Sequence, residues 1–281
     1  MLSYRHAFHA GNHADVLKHF VLVELARHLS QKDAPFWYAD THAGAGLYAL
    51  DTGYATKLAE YVDGIGRLWS RDDLPEALAA YVDLVRKLNP NGKLTAYPGS
   101  PWIAHQMLRE QDRLRLFELH TSDSELLLDN FREFGRRSLI KASDGFAGLK
   151  AMLPPPPRRA LVLIDPSYED KTDYKNVVSA LQDALQRFAT GVYIIWYPQL
   201  PRADSRQLPE KLKLLPAKNW LHVSLTVQAP SEEGFGMYGS GLHIINPPWT
   251  LHATLKQLMP YLVKVLGKDP GANFRLETSS H

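Results

Sequence analysis

The sequence contains no cysteine, which excludes disulfide bonds and zinc sites built from thiolates. It also lacks an apolar run of the ~18 residues that a membrane-spanning helix requires. Its N-terminal stretch is rich in histidine and has no apolar centre of the kind found in secretion signals. Neither sign of charge dominates, because 32 Lys and Arg residues stand against 30 Asp and Glu residues. We therefore expect a cytoplasmic protein without membrane association, whose contacts with nucleic acid come from a local basic surface.

The pattern that is present is an alternation of apolar runs and stretches of helical periodicity, most clearly from residue 97 onward. The predicted strands are 36–39, 114–119, 139–142, 160–164, 192–197, 221–227 and 241–245. Helices are predicted between most of these strands and over 12–29. This alternation predicts right-handed βαβ units, and hence an α/β fold of Rossmann type whose parallel sheet is covered on both faces.

The segment 47–96 breaks this alternation. Its apolar residues, such as Leu78 and Tyr81, recur at helical spacing without a β-type run. We interpret the segment as a small inserted helical subdomain. The predicted organisation is a Rossmann-like domain formed by 1–46 and 97–281, interrupted by 47–96.

A glycine-rich turn, Asp40–Gly46, follows the first predicted strand. Gly44 and Gly46 let the backbone turn sharply and approach a ligand closely. The third glycine of a dinucleotide-binding motif is missing, so a pyrophosphate is not required. A plain glycine turn remains the alternative.

Two later strands also end in acidic residues, which would meet this turn at one edge of a parallel sheet. Glu118 is placed to accept both hydroxyls of a ribose. Asp144 is placed to accept from an exocyclic amine, and Gly145 would leave room for a flat ring. Solvated acids are common at strand ends, but the three features together predict a nucleoside-shaped site.

The strongest candidate for the chemistry follows the run 160–164, in Asp165-Pro166-Ser167-Tyr168. This segment is similar to the D/N-P-P-Y/F/W motif of amino-methyltransferases. An adenine amine is a poor nucleophile, so the Asp165 carboxylate and the Pro166 carbonyl would accept its hydrogens. The Tyr168 ring would stack on the base. Ser167 stands where the motif has a second proline, and a β–α turn with a capping aspartate is the alternative.

A competing motif, Asn246-Pro247-Pro248-Trp249, matches the pattern letter for letter after another apolar run. It follows the last predicted strand pair, where a doubly wound sheet no longer has its switch point. Asp165 follows the fourth strand, beside the expected ligand site. We therefore favour Asp165 over Asn246 as the catalytic residue.

Longer segments carry a resemblance to a known family. They are 1–6, 8–19, 40–46, 97–101 and 245–249, and the N-terminal segments are far more specific than the glycine turn. Through them the chain resembles the ribosomal RNA large subunit methyltransferase J family, bacterial adenine-N6 methyltransferases, over nearly its whole length. The resemblance implies a Rossmann-like, S-adenosylmethionine-dependent methyltransferase with an inserted helical subdomain. The implied reaction is methylation of N6 of a specific adenine in 23S ribosomal RNA.

The resemblance also implies roles for individual residues. Contacts with S-adenosylmethionine are expected at His19, His42, Ser100, Glu118, Asp144, Gly145 and Asp165. Positions close to the substrate are expected at Tyr4, His6 and Lys18. The implied cosubstrate is S-adenosylmethionine without a metal ion. The implied partner is large-subunit ribosomal RNA before full assembly, with no obligate protein partner.

Two other function classes stay open at this point. One is a DNA-processing enzyme, either a metal-dependent nuclease or a protein for the use of external DNA as a nutrient, although the clustered acids of a two-metal nuclease are lacking. The other is a non-catalytic RNA-binding module that keeps the fold. His9 and His13 could share a helical face, but without an HExxH pattern they predict no metal site.

Overall fold

The computed structural model describes residues 6–52, 55–232 and 234–279. Its strands are β1 (Trp37–Asp40), β2 (Leu47–Ala49), β3 (Ala96–Pro98), β4 (Arg113–Phe117), β5 (Ser138–Lys141), β6 (Ala160–Ile164), β7 (Val192–Gln199), β8 (Trp220–Thr226), β9 (Gly239–Ile245) and β10 (Asn273–Thr278). Its α-helices are α1 (His13–Ser30), α2 (Ala55–Leu58), α3 (Gly66–Trp69), α4 (Glu76–Leu88), α5 (Ser100–Met107), α6 (Thr121–Asn130), α7 (Gly145–Met152), α8 (Thr172–Arg187), α9 (Ala203–Lys213) and α10 (Trp249–Leu266). In the described ranges, no helix is both long and apolar enough to cross a membrane.

Eight strands of the described ranges form one sheet, in the order β10–β8–β9–β7–β6–β1–β4–β5. β1, β4, β5, β6 and β7 run parallel, as the alternation of strands and helices predicts. β6 lies near the centre of the sheet and is buried at every residue. The α/β fold of Rossmann type is thus confirmed.

The sheet is mixed rather than parallel throughout, because two of its strands, β9 and β10, run antiparallel to their neighbours. β9 lies between β7 and β8 and is antiparallel to both, and β10 pairs antiparallel with β8. β8 and β9 are joined by 227–238 without a helix, whereas parallel neighbours need a crossover connection. β10 is absent from the predicted strands because it is a half-exposed edge strand of mostly polar residues.

The helix α1 begins at an asparagine cap and is buried along most of its length. The Asn12 side chain accepts hydrogen bonds from the backbone N–H groups of Ala14 and Asp15, two of the free donors of the first turn. The apolar residues of α1 pack in the core, against α4 and α5 among other elements. Four polar residues of the same helix are buried too: His13, Asp15, Lys18 and His19. Through them α1 carries charged groups into the interior.

The segment 47–96 begins and ends in a short two-stranded sheet, in which β2 and β3 pair antiparallel. The sequence predicts no strand here, because each strand has only three residues. Between β2 and β3 the described residues form helices and turns. Leu78 and Tyr81 of α4 are buried in the same hydrophobic core as the residues of the eight-stranded sheet. The division of the chain into a Rossmann-like domain and a separate inserted subdomain stays a prediction.

The strand order predicts where a ligand binds, namely at the edge of the sheet formed by the carboxyl ends of the parallel strands. β4 and β5 lie on one side of β1, and β6 and β7 lie on the other, so the topology switches between β1 and β6. Ligands bind outside the carboxyl ends of the strands at such a point. Asp40 ends β1, Glu118 follows β4 and Asp165 follows β6. Three carboxylates therefore lie at this edge.

Candidate active site

A buried ion pair joins α1 to the end of β6. The Lys18 Nζ lies 2.5 Å from Oδ2 of Asp165 and 2.9 Å from Oδ1 of Asp15. The Lys18 and Asp165 side chains are only 5% and 12% exposed. Burial lowers the pKa of Lys18, but the two carboxylates outweigh it and raise that pKa well above its usual value. Lys18 therefore stays charged and compensates the negative charge of Asp165.

Asp15 extends this pair into a chain of charged groups. Its Oδ2 lies 2.9 Å from Nε2 of His6 and accepts a hydrogen bond from the Gly11 N–H at 2.8 Å. Burial raises the pKa of Asp15, but His6 and Lys18 hold it well below the usual range. The predicted site does not include Asp15. The signal for it is its spacing from Lys18 on α1, three residues apart and so on the same face of the helix.

Asp40 is a second buried carboxylate that the predicted contacts omit. It accepts hydrogen bonds from the Ser100 Oγ at 2.6 Å, the Tyr38 hydroxyl at 2.8 Å and the His42 N–H at 3.2 Å. Burial raises its pKa to about 6, against the effect of these hydrogen bonds, and the charge of Asp165 adds to the rise. The Ser100 hydroxyl donates to Asp40, so Ser100 fixes the end of β1 in addition to lining the site.

The glycine turn after β1 adopts the backbone conformation that its glycines allow. Gly44 and Gly46 have φ values of +60° and +76°, in the left-handed region. Glu118 holds the turn, because its Oε2 accepts from the Gly44 N–H at 2.8 Å and its Oε1 accepts from the His120 N–H at 2.7 Å. Burial raises the pKa of Glu118. Each carboxylate oxygen can accept a further hydrogen bond, so Glu118 can still bind a ligand.

These groups surround one cavity, here called the strand-end cavity. Most of the predicted contacts line it: His6, Lys18, His19, His42, Gly44, Ser100, Glu118 and Asp165. Asp123 of α6 also lines it without having been predicted. Gly46, Asp144 and Gly145 are not among its lining residues. The sequence therefore predicts most of the residues that line the strand-end cavity. It misses the buried carboxylates of Asp15 and Asp40.

Asp144 and Gly145 lie at the start of α7. Asp144 is exposed, and its side chain accepts from the Phe146 N–H at 3.0 Å, so it caps α7. A Cβ added at Gly145 would lie 1.8 Å from the Thr41 carbonyl oxygen. The turn after β1 therefore passes so close to Gly145 that only glycine fits, and a contact of Gly145 with the methyl donor stays a prediction.

Two histidines of the strand-end cavity are held neutral. Burial lowers the pKa of His42 to about 4 and that of His19 to about 3. The His19 Nδ1 lies 2.8 Å from the Tyr97 hydroxyl, and its Nε2 is buried with no hydrogen-bond partner among the described residues. Because a buried polar atom of this kind costs free energy unless it is paired, His19 fits a role as a hydrogen-bonding group toward a ligand.

Tyr168 is buried and is not among the residues that line the strand-end cavity. It is 2% exposed, has a φ of +55°, and donates from its hydroxyl to the Trp196 carbonyl at 2.7 Å. Its ring lies against Tyr174, with centroids 4.7 Å apart. The loop turns inward at Tyr168 and is anchored there, and stacking of this ring on a base stays a prediction. Pro166 is buried between Asp165 and Ser167, which both line the strand-end cavity.

A larger cleft, here called the outer cleft, adjoins the strand-end cavity. It has a volume of about 500 Å³, and its walls include Trp196, Pro198 and Met237. The two spaces share His6, Lys18, Asp165 and Ser167. The Lys18–Asp165 pair therefore stands where the two spaces meet. Tyr4, predicted to lie near the substrate, is outside the described residues.

The competing motif lies far from this junction. β9 is antiparallel to β7, so its carboxyl end reaches the opposite edge of the sheet. There the Asn246 amide donates to the carbonyls of Ala189 and Gly191, at 2.8 and 2.7 Å. Trp249 is 87% exposed at the start of α10. Asn246 joins two elements of the fold and faces neither space described above.

The histidines near the N-terminus do not form a metal site in the structure. His9 lies 3.0 Å from a Glu60 oxygen, and burial lowers the pKa of His13 to about 4. Within the described ranges, no group of three or more His, Asp or Glu side chains is arranged to hold a metal ion.

Comparison with known proteins places the chain in a family. Residues 33–277 match the family model described as "Ribosomal RNA large subunit methyltransferase D, RlmJ". The chain belongs to this family. Two curated relatives of it carry the name Ribosomal RNA large subunit methyltransferase J. That of Escherichia coli (strain K12) is 49% identical over 262 residues, 93% of each chain. That of Haemophilus influenzae (strain ATCC 51907 / DSM 11121 / KW20 / Rd) is 47% identical over 278 residues, 99% of this chain and 98% of the relative.

A crystal structure also shares the fold of this RlmJ family member. It is a protein of Legionella pneumophila str. Philadelphia 1, 38% identical, with a TM-score of 0.89 over 97% of this chain and 99% of the other. The family assignment made from the sequence is thus confirmed. The chain is an S-adenosylmethionine-dependent methyltransferase, and neither a nuclease nor a non-catalytic RNA-binding module is supported.

Proposed function

We propose that the chain transfers a methyl group to N6 of a specific adenine in 23S ribosomal RNA. The names of its relatives support a large-subunit ribosomal RNA substrate. The observation that carries the choice of an amine is the buried Lys18–Asp165 pair where two spaces meet. One space can hold the methyl donor and the other the base, with a carboxylate between them. A ribosomal RNA substrate supports a cytoplasmic location, which we also propose.

The residues of the strand-end cavity fit the methyl donor. S-adenosylmethionine supplies a methyl group that is already activated on a sulfonium sulfur. Glu118 would bind the ribose hydroxyls, as acids after such strands do. The turn at Gly44 would let the backbone approach the ligand, and the unpaired His19 Nε2 offers a hydrogen bond. The buried Asp40 adds negative charge near a positively charged ligand.

Asp165 would act on the acceptor amine. Lys18 binds its Oδ2, so the carboxylate is oriented and its charge compensated before the base arrives. A carboxylate that accepts an N–H bond from the adenine amine makes the nitrogen more electron-rich and directs its lone pair to the methyl group. The Pro166 carbonyl would accept the other N–H. Tyr168 would fix the loop through its hydrogen bond to the Trp196 carbonyl.

The target adenine must be unpaired to enter the outer cleft. Extruding a base from a duplex costs a few kcal/mol, which a loop, bulge or single strand largely avoids. We therefore propose RNA before full assembly as the substrate, without an obligate protein partner. Protein-free large-subunit RNA should be methylated faster than intact large subunits, and duplex DNA of similar length should not be methylated.

Nucleoside mass spectrometry after reaction with these three substrates tests the proposed function. The expected product is N6-methyladenosine at one site of the protein-free RNA, formed in the presence of a metal chelator. A product methylated at cytosine, or a preference for duplex DNA, would contradict the proposal. Ribosomal RNA from cells with and without the gene should differ by the same single modification.

Substitution of Glu118 tests the donor site. Glu118→Ala should weaken S-adenosylmethionine binding by about 1.5–3 kcal/mol, because hydrogen bonds to a charged group are lost. Titration calorimetry in chelator measures this, and circular dichroism should show an unchanged fold. The matched control is Glu125→Ala on the exposed face of α6, for which we expect wild-type affinity. Wild-type affinity in the Glu118 variant would remove this residue from the donor site.

A further inference from the structure

An exposed aromatic side chain stands in the loop that joins β8 to β9. Phe235 is 80% exposed to solvent. Burying a phenylalanine side chain is favourable by roughly 1.5–3 kcal/mol, so an exposed ring offers apolar surface that a ligand can cover. Among the described residues, Leu214 and Trp249 are exposed to a similar extent, at 85% and 87%.

The backbone around Phe235 holds the ring away from the protein. Gly234 and Gly236 have φ values of +76° and +88°, which residues other than glycine rarely adopt. A Cβ added at either position would meet no described atom within 4 Å. Close packing therefore does not explain these glycines, whereas a projecting loop does.

This loop is continuous with the wall of the outer cleft. Gly236 and Met237, which directly follow Phe235, line the cleft together with Gln228 at the other end of the loop. The same cleft contains Lys18 and Asp165. The exposed ring thus stands at the rim of the space that, under the proposed function, receives the target adenine.

The chemistry of the loop favours a base over a phosphate as its contact. Glu232 is exposed in the same loop and would repel the phosphate backbone. A phenylalanine ring, in contrast, stacks on any base, because every base offers a π face. A nucleotide whose neighbour has been extruded loses its own stacking partner on that side. Such a nucleotide is the ligand that a ring at the rim can stabilise.

We propose that Phe235 binds the RNA by stacking on an unpaired base next to the target adenine. The inference rests on the proposed function and adds a recognition residue to it. Phe235 touches neither the methyl donor nor the reacting amine, so it should contribute to RNA affinity and not to the affinity for S-adenosylmethionine.

Methylation of protein-free large-subunit RNA by Phe235→Ala tests the inference. The KM for RNA should rise about 5- to 150-fold, the range for losing one stacked base, and Phe235→Trp should restore it. The dissociation constant of S-adenosylmethionine should stay at the wild-type value. The slope of log KM against log salt concentration should also be unchanged, because no phosphate contact is removed.

Trp249→Ala provides the matched control, because Trp249 is equally exposed but lies at the opposite edge of the sheet. Its KM for RNA should equal that of the wild type. A wild-type KM for Phe235→Ala would overturn the inference. The same loss in both variants would overturn it as well. If the wild-type enzyme methylates no RNA, the proposed function itself fails, which is a different outcome.

Discussion

Replacing Asp165 with alanine is expected to lower the rate of methyl transfer by about 100- to 1000-fold or more. That is the usual cost of removing one oriented polar group from a reacting centre. The fold should survive, because Lys18 keeps Asp15 as its partner at 2.9 Å. Single-turnover methylation of protein-free large-subunit RNA, at saturating enzyme and S-adenosylmethionine, measures the rate of the chemical step. Thermal unfolding of the same preparation shows whether the variant is folded.

Asn246→Ala is the control for this prediction, since Asn246 begins the second motif of the same pattern. The hydrogen bonds from its side-chain amide to the carbonyls of Ala189 and Gly191 hold the end of β9. Its φ of +54° disfavours alanine. We expect a loss of stability on the order of 1–3 kcal/mol with a methylation rate near that of the wild type. If activity survives in Asp165→Ala and disappears in folded Asn246→Ala, the two motifs have exchanged roles.

Replacing Asp15 with alanine should lower the free energy of unfolding by about 3–5 kcal/mol. Asp15 is the fully buried member of this chain of charges, and breaking a buried charge network is costly. Its removal deprives His6 and the Gly11 N–H of their acceptor and takes one of two carboxylates from Lys18. Lys18 would retain a single carboxylate, Asp165. Urea unfolding at pH 7.5 gives the change in the free energy of unfolding.

Two further variants make the Asp15 result specific. Asp15→Asn keeps the shape and one acceptor but not the charge, so it should lie between the wild type and Asp15→Ala. Glu24→Ala removes the partner of Arg27 on the same helix, a pair whose arginine is 46% exposed. Such surface pairs contribute about 1 kcal/mol or less. A loss for Asp15→Ala no larger than that for Glu24→Ala would show that the buried chain of charges does not stabilise the fold.

The elements of this protein could be predicted because they depend on local patterns. The run 160–164 is apolar at every position, and the structure buries every residue of it as β6. Asn12 precedes a helical apolar pattern, and it caps α1. The direction of β9 could not be predicted in this way, since an apolar run has the same local pattern in parallel and antiparallel neighbours.

The candidate site could be predicted in part for the same reason. Asp165 and Glu118 directly follow strands, and the carboxyl ends of parallel strands meet at one edge of the sheet. Gly145 and Tyr168 also stand in the expected motifs, but the sequence does not show what packs against them. The Thr41 carbonyl fills the space at Gly145, and the Tyr168 ring points into the core. A motif places a residue along the chain without specifying which atoms pack against it.

The sequence by itself determined the Rossmann-type alternation, the family, and the aspartate at the end of the central strand. Only the tertiary structure decided that Lys18 lies against Asp165, a residue 147 positions away, and that Asp15 stands behind it. It also placed Asp165 between two spaces and Asn246 at the far edge of the sheet. The physical reason is that hydrophobic periodicity acts over a few residues, whereas the partner of a buried charge is set by how whole helices and strands pack.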